Sequence, residues 1–249
     1  MKKYKCIISY DGTRYAGFQI QENALTIQQT LQEIFSKRLQ EPVMITGASR
    51  TDAKVHALGQ VIQFETDKIE DKNHFLYQIN CMLPKDIRIL TIEEIADNFH
   101  CRYDAKKKTY YYFLHRNPFS PPFGHDYKLF LPKNINLQEM KEGAKYFLGT
   151  HDFRALAHQS EHGCAKNKPV KTIYRFDFIE NGDEIRLEIE GNGFLHKMIR
   201  NMVGLLLDVG TGKTPKEKIP MIIASKDRKQ AGQTAPGHPL FLAKIAYND

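Results

Sequence analysis

The sequence predicts an α+β protein, because segments with strand periodicity alternate with segments that have helix periodicity. Apolar residues at every second position indicate strands at Tyr4–Tyr10 and through Ile173–Gly191, where Asn181-Gly182 would form a hairpin turn. Two helices are predicted to begin after Thr26 and Asn136, each of which is followed three residues later by the glutamine or glutamate of a capping box.

The remaining elements follow in chain order. The first helix is predicted to run to about Leu39, since apolar side chains recur there at helical spacing. A short helix over Asn73–Met82, a strand over Ile87–Ile92 and a closing strand over Leu240–Tyr247 are expected next. After the break at Gly191-Asn192-Gly193 another helix is predicted, with one apolar face and one polar stripe. The apolar face comprises Leu195, Met198, Ile199, Met202 and Leu206, and the polar stripe comprises His196, Lys197, Arg200 and Asn201, extended by Gly204.

The stretch Val43–Thr66 concentrates charged residues between two predicted strands. In the second of these strands, Val61–Thr66, apolar and polar residues alternate, which predicts a half-buried strand. Five residues that can do chemistry fall within seven positions before it: Arg50, Thr51, Asp52, Lys54 and His56. Asp52 has two interpretations from these residues alone. A carboxylate flanked by cations stays ionised and can act as a nucleophile or general base, or Asp52 caps a short helix or an Asx turn.

Size and composition exclude some classes of protein. A chain of 249 residues suits one large domain or two small ones, and 41% hydrophobic with 26% charged residues is typical of a soluble globular protein. The net charge of +7 suits a polyanionic partner, although many basic proteins bind no nucleic acid. No apolar segment reaches the length of a membrane span. The four cysteines lack CxxC spacing and are expected to be reduced thiols of a cytosolic protein: Cys6, Cys81, Cys101 and Cys164.

Two segments imitate metal or nucleotide sites but lack essential parts. The segment His158–Cys164 supplies at most three zinc ligands, whereas a structural zinc site needs four. The segment Gly210–Thr214 imitates the end of a phosphate-binding P-loop, but Leu207 stands where that motif requires glycine. We therefore expect no metal and no cofactor.

The stretch Arg102–Arg116 combines three lysines with three tyrosines and a phenylalanine. Lysine and arginine pair with phosphates, and tyrosine rings offer flat surfaces on which bases stack. The alternative is an aromatic-rich strand that follows a solvated basic turn. If the stretch is a strand, Tyr110 and Tyr112 share one face and Tyr111 points to the other.

Three ordered motifs resemble a known family. Arg50-Thr51-Asp52-Ala53 with Val55-His56-Ala57 is similar to the catalytic loop of the tRNA pseudouridine synthase A (TruA) family. Two later motifs agree in order and spacing: Gly191–Leu195 with Met198–Asn201, and Ala231–Pro236. The resemblance extends from Tyr4 to Tyr247 and implies the pseudouridine synthase fold, in which two α/β halves with mostly antiparallel mixed sheets form a continuous sheet and a central RNA-binding cleft. The expected division is residues 1–105, carrying the aspartate loop, and residues 106–249, carrying the arginine helix and the closing strand.

The resemblance also implies the roles of five side chains. Asp52 would be the group that attacks ribose C1′ or removes a sugar proton, and both alternatives stay open. Tyr110 would stack on the uracil, and Arg200 would pair with Asp52. Arg50 would fill the space left by a flipped nucleotide, and Leu240 would form an apolar wall of the uracil pocket.

The implied substrate is the anticodon stem-loop of tRNA, with uridines at positions 38, 39 and 40 converted to pseudouridine. The resemblance further implies a cytoplasmic homodimer whose two subunits contact one tRNA, and no membrane association. The alternative from another class is a diverged paralogue that binds tRNA without catalysis.

Four positions depart from the usual family pattern. Ser49 and Lys54 stand where the family usually has glycine, Tyr111 replaces a common arginine, and Pro239 replaces a glycine. These departures concern the rate and the choice of uridine rather than the reaction class. If position 54 requires a positive φ, the lysine there is strained.

Overall fold

The computed structural model describes residues 1–117, 119, 124–158 and 168–248. Its contacts divide the chain into two compact units. The first comprises Met1–Lys106 with Phe241–Asp249, and the second comprises Lys107–Leu240. The final segment of the chain thus belongs to the first unit, whereas the sequence grouped it with the second half.

The helices and strands follow in chain order. The strands are β1 Lys2–Tyr10, β2 Thr46–Gly47, β3 His56–Thr66, β4 Ile87–Ile95, β5 Lys107–His115, β6 Leu129–Phe130, β7 Gly149–Asp152, β8 Val170–Asn181, β9 Glu184–Gly191 and β10 Leu240–Ala246. The α-helices are α1 Ile27–Leu39, α2 Lys72–Met82, α3 Leu137–Ala144, α4 Met198–Gly210 and α5 Ile219–Ser225.

The first unit is a mixed sheet covered by α1 and α2. Its strand order is β4-β1-β3-β10, with β2 added to β3, and all pairings are antiparallel except the parallel pair of β10 with β3. Helix α1 begins where the sequence predicted, because the Thr26 hydroxyl accepts a hydrogen bond from the Gln29 amide. Phe35 of α1 meets Phe64 of β3 edge to face, with ring centroids 5.0 Å apart. This packing fixes the strand that follows the Asp52 loop.

The second unit is a sheet ordered β5-β9-β8-β7, in which these neighbours are antiparallel and β6 adds to β5 in parallel. The predicted hairpin forms as β8 and β9, and Asn136 caps α3 through a hydrogen bond from Glu139. The α+β class and the mostly antiparallel sheets are therefore confirmed.

Two predictions about strand surfaces were wrong. Val61–Thr66 is buried on both faces except at Glu65, because Gln63 turns inward and accepts a hydrogen bond of 2.6 Å from the Cys101 amide. The alternation expected in β8 is interrupted by an irregular register between Ile173 and Arg175, which leaves Tyr174 48% exposed. The alternation of apolar and polar residues predicts neither the hydrogen bond that lets Gln63 be buried nor the register shift in β8.

Two absences concern only the part of the chain that the structure describes. Within it, no helix is long and apolar enough to cross a membrane. Cys6, Cys81 and Cys101 form no disulfide with one another, and Cys164 lies outside the described residues together with most of the segment His158–Cys164.

Candidate active site

The loop that carries Asp52 connects β2 to β3 in the first unit. Arg50 is exposed on it, Thr51 is 7% exposed, and Asp52 is half-buried. A carboxylate in this setting is neither a core residue nor a freely moving surface charge.

Hydrogen bonds fix the backbone on both sides of Asp52. The carbonyl of Thr51, which belongs to the peptide group leading into Asp52, accepts from the Phe18 amide at 3.0 Å. The carbonyl of Asp52 accepts from the Val55 amide at 3.1 Å, closing a turn. Gly17 has φ +108°, and a Cβ there would lie 2.7 Å from the Thr51 carbonyl oxygen. The segment before α1 therefore approaches the loop closely enough to hold it.

Lys54 adopts the left-handed conformation within this turn, with φ 63°. A strained lysine was expected from the sequence if position 54 has a positive φ, and the structure shows a positive φ there. The cost of this conformation for a residue with a Cβ is about 1–2 kcal/mol. The turn after Asp52 is thus retained in spite of its lysine.

His56 is part of the packing rather than of the exposed chemistry. It is 1% exposed, its Nδ1 lies 3.1 Å from the donating Gly12 amide, and its ring stacks on Phe241 with centroids 4.5 Å apart. Phe241 belongs to β10, which pairs with β3 at this point. His56 therefore anchors the end of the loop.

Gln60 anchors the start of the loop, a role that the sequence did not indicate. Its side-chain amide is fully buried and pairs with the backbone of Ser49: Oε1 accepts from the Ser49 amide at 3.2 Å and Nε2 donates to the Ser49 carbonyl at 2.8 Å. Oε1 also accepts from the Val61 amide at 3.1 Å. The Gln60 side chain thus makes the two backbone hydrogen bonds at Ser49 that a neighbouring strand would otherwise make.

Tyr110 lies on β5 of the second unit and is 6% exposed. Its ring meets Phe194 edge to face, with centroids 5.2 Å apart. Tyr112 is buried on the same face, whereas Tyr111 is half-exposed on the other, beneath the guanidinium of Arg186 at 4.8 Å. The predicted division of the tyrosines between two faces is confirmed.

Arg200 lies in the first turns of α4 and is tied to the segment Gly232–Leu240. Its Nε donates to the Ala235 carbonyl at 2.8 Å, and the Ala235 amide donates to the Arg200 carbonyl at 3.0 Å. The segment approaches so closely that a Cβ on Gly204 would lie 1.9 Å from the Gln233 carbonyl oxygen. This pair of bonds restricts the guanidinium, which is half-buried.

Asn201, which the sequence assigned to the polar stripe of this helix, is fully buried in the structure. Its Nδ2 donates to the Leu156 carbonyl at 2.7 Å, and its Oδ1 accepts from Arg228 at 2.9 Å and from Thr234 at 2.7 Å. Burial lowers the pKa of Arg228. Asn201 therefore joins α4 to the segment that holds Arg200.

The same segment leads to Leu240. The hydroxyl of Tyr112 donates to the Pro236 carbonyl at 3.1 Å, and burial raises the pKa of Tyr112 while the charge of Arg200 opposes this shift. Leu240 is 5% exposed, and its amide donates to the Gly237 carbonyl at 3.0 Å. Gly232–Leu240 thus connects the positions of Arg200, Tyr112 and Leu240 within the second unit, while Arg50 and Asp52 belong to the first.

The chemistry available to these groups is that of an acid, a cation and aromatic rings. Across the described ranges, which omit residues 118, 120–123, 159–167 and 249, no three His, Cys, Asp or Glu side chains are grouped to hold a metal ion. A fixed carboxylate suits attack on an electrophilic carbon or removal of a proton. A buried tyrosine face suits stacking with a planar ring.

Comparison with known proteins gives one consistent result. A family model described as tRNA pseudouridine synthase matches residues 6–104 and 144–248. A tRNA pseudouridine synthase A 1 from Protochlamydia amoebophila is 43% identical over 250 residues, covering 100% of this chain and 98% of the relative. Proteins called tRNA pseudouridine synthase A from Thermoanaerobacter sp. (strain X514) and Ruminiclostridium cellulolyticum are 41% and 43% identical, each covering 99% of this chain and 100% of the relative.

Proposed function

The chain belongs to the tRNA pseudouridine synthase family, and we propose that it isomerises uridine to pseudouridine at positions 38, 39 and 40 of tRNA with Asp52 as the nucleophile. The role of Asp52 is supported most directly by the hydrogen bonds that fix the backbone at the Thr51 and Asp52 carbonyls. A nucleophile that is held in place does not lose orientational freedom on the way to the transition state.

The reaction is balanced without an external acceptor. The bond from ribose C1′ to uracil N1 breaks, and a bond from C1′ to C5 forms. The proton on C5 is lost and N1 gains a proton, so no electrons are transferred. The reaction needs no redox cofactor, no nucleotide and no metal for its stoichiometry.

Three further residues have proposed roles at the reacting nucleotide. Arg200 pairs with Asp52 and keeps it ionised, since a nearby cation favours the carboxylate. Tyr110 stacks on the uracil and takes part in removing the C5 proton. Leu240, which is buried at the start of β10, provides an apolar wall. The hydrogen bond that Arg200 Nε donates to the Ala235 carbonyl and the packing of Phe194 on Tyr110 support fixed positions for both side chains.

Access to the uridine requires that the nucleotide leave its stack. Flipping costs a few kcal/mol, and least where pairing is weak, as it is near the end of the anticodon stem. Arg50 is exposed two residues before Asp52, so its side chain is free to enter the vacated space and contact phosphate. We propose that tRNA is recognised by shape and backbone, that the enzyme works as a homodimer, and that it acts in the cytoplasm.

The experiment measures tritium release from tRNA transcripts that contain 5-tritiated uridine. The wild type is expected to release tritium, and mapping of the product is expected to place pseudouridine at positions 38, 39 and 40. Asp52→Asn is nearly isosteric but uncharged, so turnover should be abolished while tRNA affinity stays within a few-fold. Asp97→Asn, which changes an exposed carboxylate in the same way, serves as the control and should retain full turnover.

Two outcomes would contradict the proposal in different ways. Turnover at the wild-type rate in Asp52→Asn would remove Asp52 from its role. Binding of tRNA by the wild type without any tritium release would instead support the alternative of a tRNA-binding protein that does not catalyse. Because binding through lysine and arginine releases counterions, affinity should fall steeply with salt in either case.

A further inference from the structure

A buried hydroxyl pair lies directly beneath the Asp52 loop. Tyr10, the last residue of β1, is 4% exposed, and its hydroxyl lies 2.8 Å from Oγ1 of Thr51. Thr51 is itself 7% exposed. A hydrogen bond between two buried hydroxyls restricts both side chains, because such a bond is electrostatically stronger in a medium of low polarity than in water.

The bond acts on the residue that precedes Asp52. The backbone carbonyl of Thr51 already accepts from the Phe18 amide at 3.0 Å, so the peptide group between Thr51 and Asp52 has a fixed plane. The Tyr10 hydroxyl adds a second point of attachment through the Thr51 side chain. With both attachments, the position of the Asp52 Cα is determined by the strands and by the segment before α1.

The two sides of the loop are supported from neighbouring strands. Gln60 of β3 pairs with the Ser49 backbone, and its Nε2 lies 3.5 Å from the Tyr10 hydroxyl, at the outer limit of a hydrogen bond. Tyr10 and Gln60 therefore form one buried polar group below the loop. The loop and its support all belong to the first unit.

We propose that Tyr10 is a positioning residue for the isomerisation, acting on Asp52 through its hydrogen bond to Thr51. This inference rests on the proposed role of Asp52. The bond keeps the carboxylate at the distance from the ribose that the attack requires, and it makes no contact with the substrate. A displacement of the carboxylate by about 1 Å lowers turnover about 100-fold.

The test is a double-mutant cycle on Tyr10→Phe and Thr51→Val, measured as kcat and KM for tritium release. Each variant removes one hydroxyl from the same bond with little change in volume. Each is expected to lower kcat by about 10- to 100-fold, with KM for tRNA unchanged within about two-fold. Because both changes delete one bond, the double variant should lose little more than either single variant.

Conservative and matched variants separate positioning from a general loss of stability. Thr51→Ser keeps the hydroxyl and should retain a kcat near the wild-type value. Tyr15→Phe removes a hydroxyl that donates to Asp86 at 2.8 Å from a ring that is 3% exposed, so it matches Tyr10→Phe in burial and bond length. It should leave kcat unchanged. Melting temperatures of all the variants show whether each is folded at the assay temperature.

The outcomes distinguish this inference from the proposed function. If Asp52→Asn is inactive but Tyr10→Phe and Thr51→Val keep the wild-type kcat, the positioning role is wrong and the function stands. Additive losses in the double variant, or an equal loss in Tyr15→Phe, would also overturn it. If the wild type releases no tritium, the proposed function fails and the role of Tyr10 fails with it. If Tyr10→Phe does not fold, the pair Thr51→Val and Thr51→Ser decides alone.

Discussion

Asn201→Ala should be one of the most destabilising single substitutions in the second unit. The side chain is fully buried and makes three hydrogen bonds, of 2.7 Å to the Leu156 carbonyl, 2.9 Å from Arg228 and 2.7 Å from Thr234. Bonds between neutral groups contribute about 1 kcal/mol each and a bond from a charged donor about 1.5–3 kcal/mol. We therefore expect the free energy of unfolding to fall by about 3–5 kcal/mol.

The loss should be visible in thermal unfolding. A protein of this size changes its melting temperature by about 2–4 °C for each kcal/mol, so the expected decrease is about 6–20 °C. Circular dichroism during heating and during urea titration measures it. Asn134→Ala, an exposed asparagine in the same unit, is the control and should change the free energy of unfolding by less than about 0.5 kcal/mol.

Asn201→Asp distinguishes the contribution of the bond to Leu156 from the contributions of the bonds from Arg228 and Thr234. The carboxylate keeps acceptors for Arg228 and Thr234 but loses the donor to the Leu156 carbonyl, so its stability should fall between those of the wild type and Asn201→Ala. A decrease of less than about 1 kcal/mol in Asn201→Ala would refute the reasoning, since a buried amide with three partners cannot be removed at so small a cost. It would mean that water or a rearranged Arg228 replaces the amide.

The remaining predictions concern a strained turn and an ion-pair cluster. Lys54→Gly should raise the free energy of unfolding by about 0.5–1 kcal/mol, because glycine adopts φ 63° without the Cβ penalty. Lys54→Ala is the control and should show no such gain. Equal stability of the glycine and alanine variants in urea would contradict this prediction. The hydrogen bond from Lys216, which lies between Glu139 and Glu142, lowers the pKa of Glu142 below its usual 4.5. This contribution to stability is present above pH 4.5 and is lost as the pH falls through the lowered pKa, so the loss of stability in Lys216→Met relative to the wild type should be larger at pH 6 than at pH 3. A stability difference in urea that stays constant between these two pH values would exclude the linkage.

Local signals account for the elements that the sequence predicted correctly. Thr26 and Asn136 cap helices because their side chains bond to amides three residues away, which is a distance that the sequence itself displays. The hairpin β8–β9 and the division of Tyr110 and Tyr111 between two faces follow from a period of two. These interactions are short in sequence, so a pattern of residue types is sufficient.

The incorrect predictions have partners that are distant along the chain. Asn201 was placed on the polar stripe of its helix, opposite the buried face, yet Leu156 and Arg228, 45 and 27 residues away, satisfy its amide inside the fold. Gln63 is buried for the same reason, since it meets Cys101 at a separation of 38 residues. A helical or strand period reports which residues share a face, but it does not report whether a polar group has found a partner there.

The sequence by itself determined the family, the α+β class and the loop on which Asp52 lies, because motifs and periodicities are local properties of the chain. Only the tertiary structure decided how that loop is held: by Tyr10 from β1, at 41 residues from Thr51, and by Gln60 from β3, at 11 residues from Ser49. Hydrogen bonds of this kind depend on which strands lie side by side in the folded sheet. That arrangement is the outcome of packing over the whole unit, and no stretch of the sequence contains it.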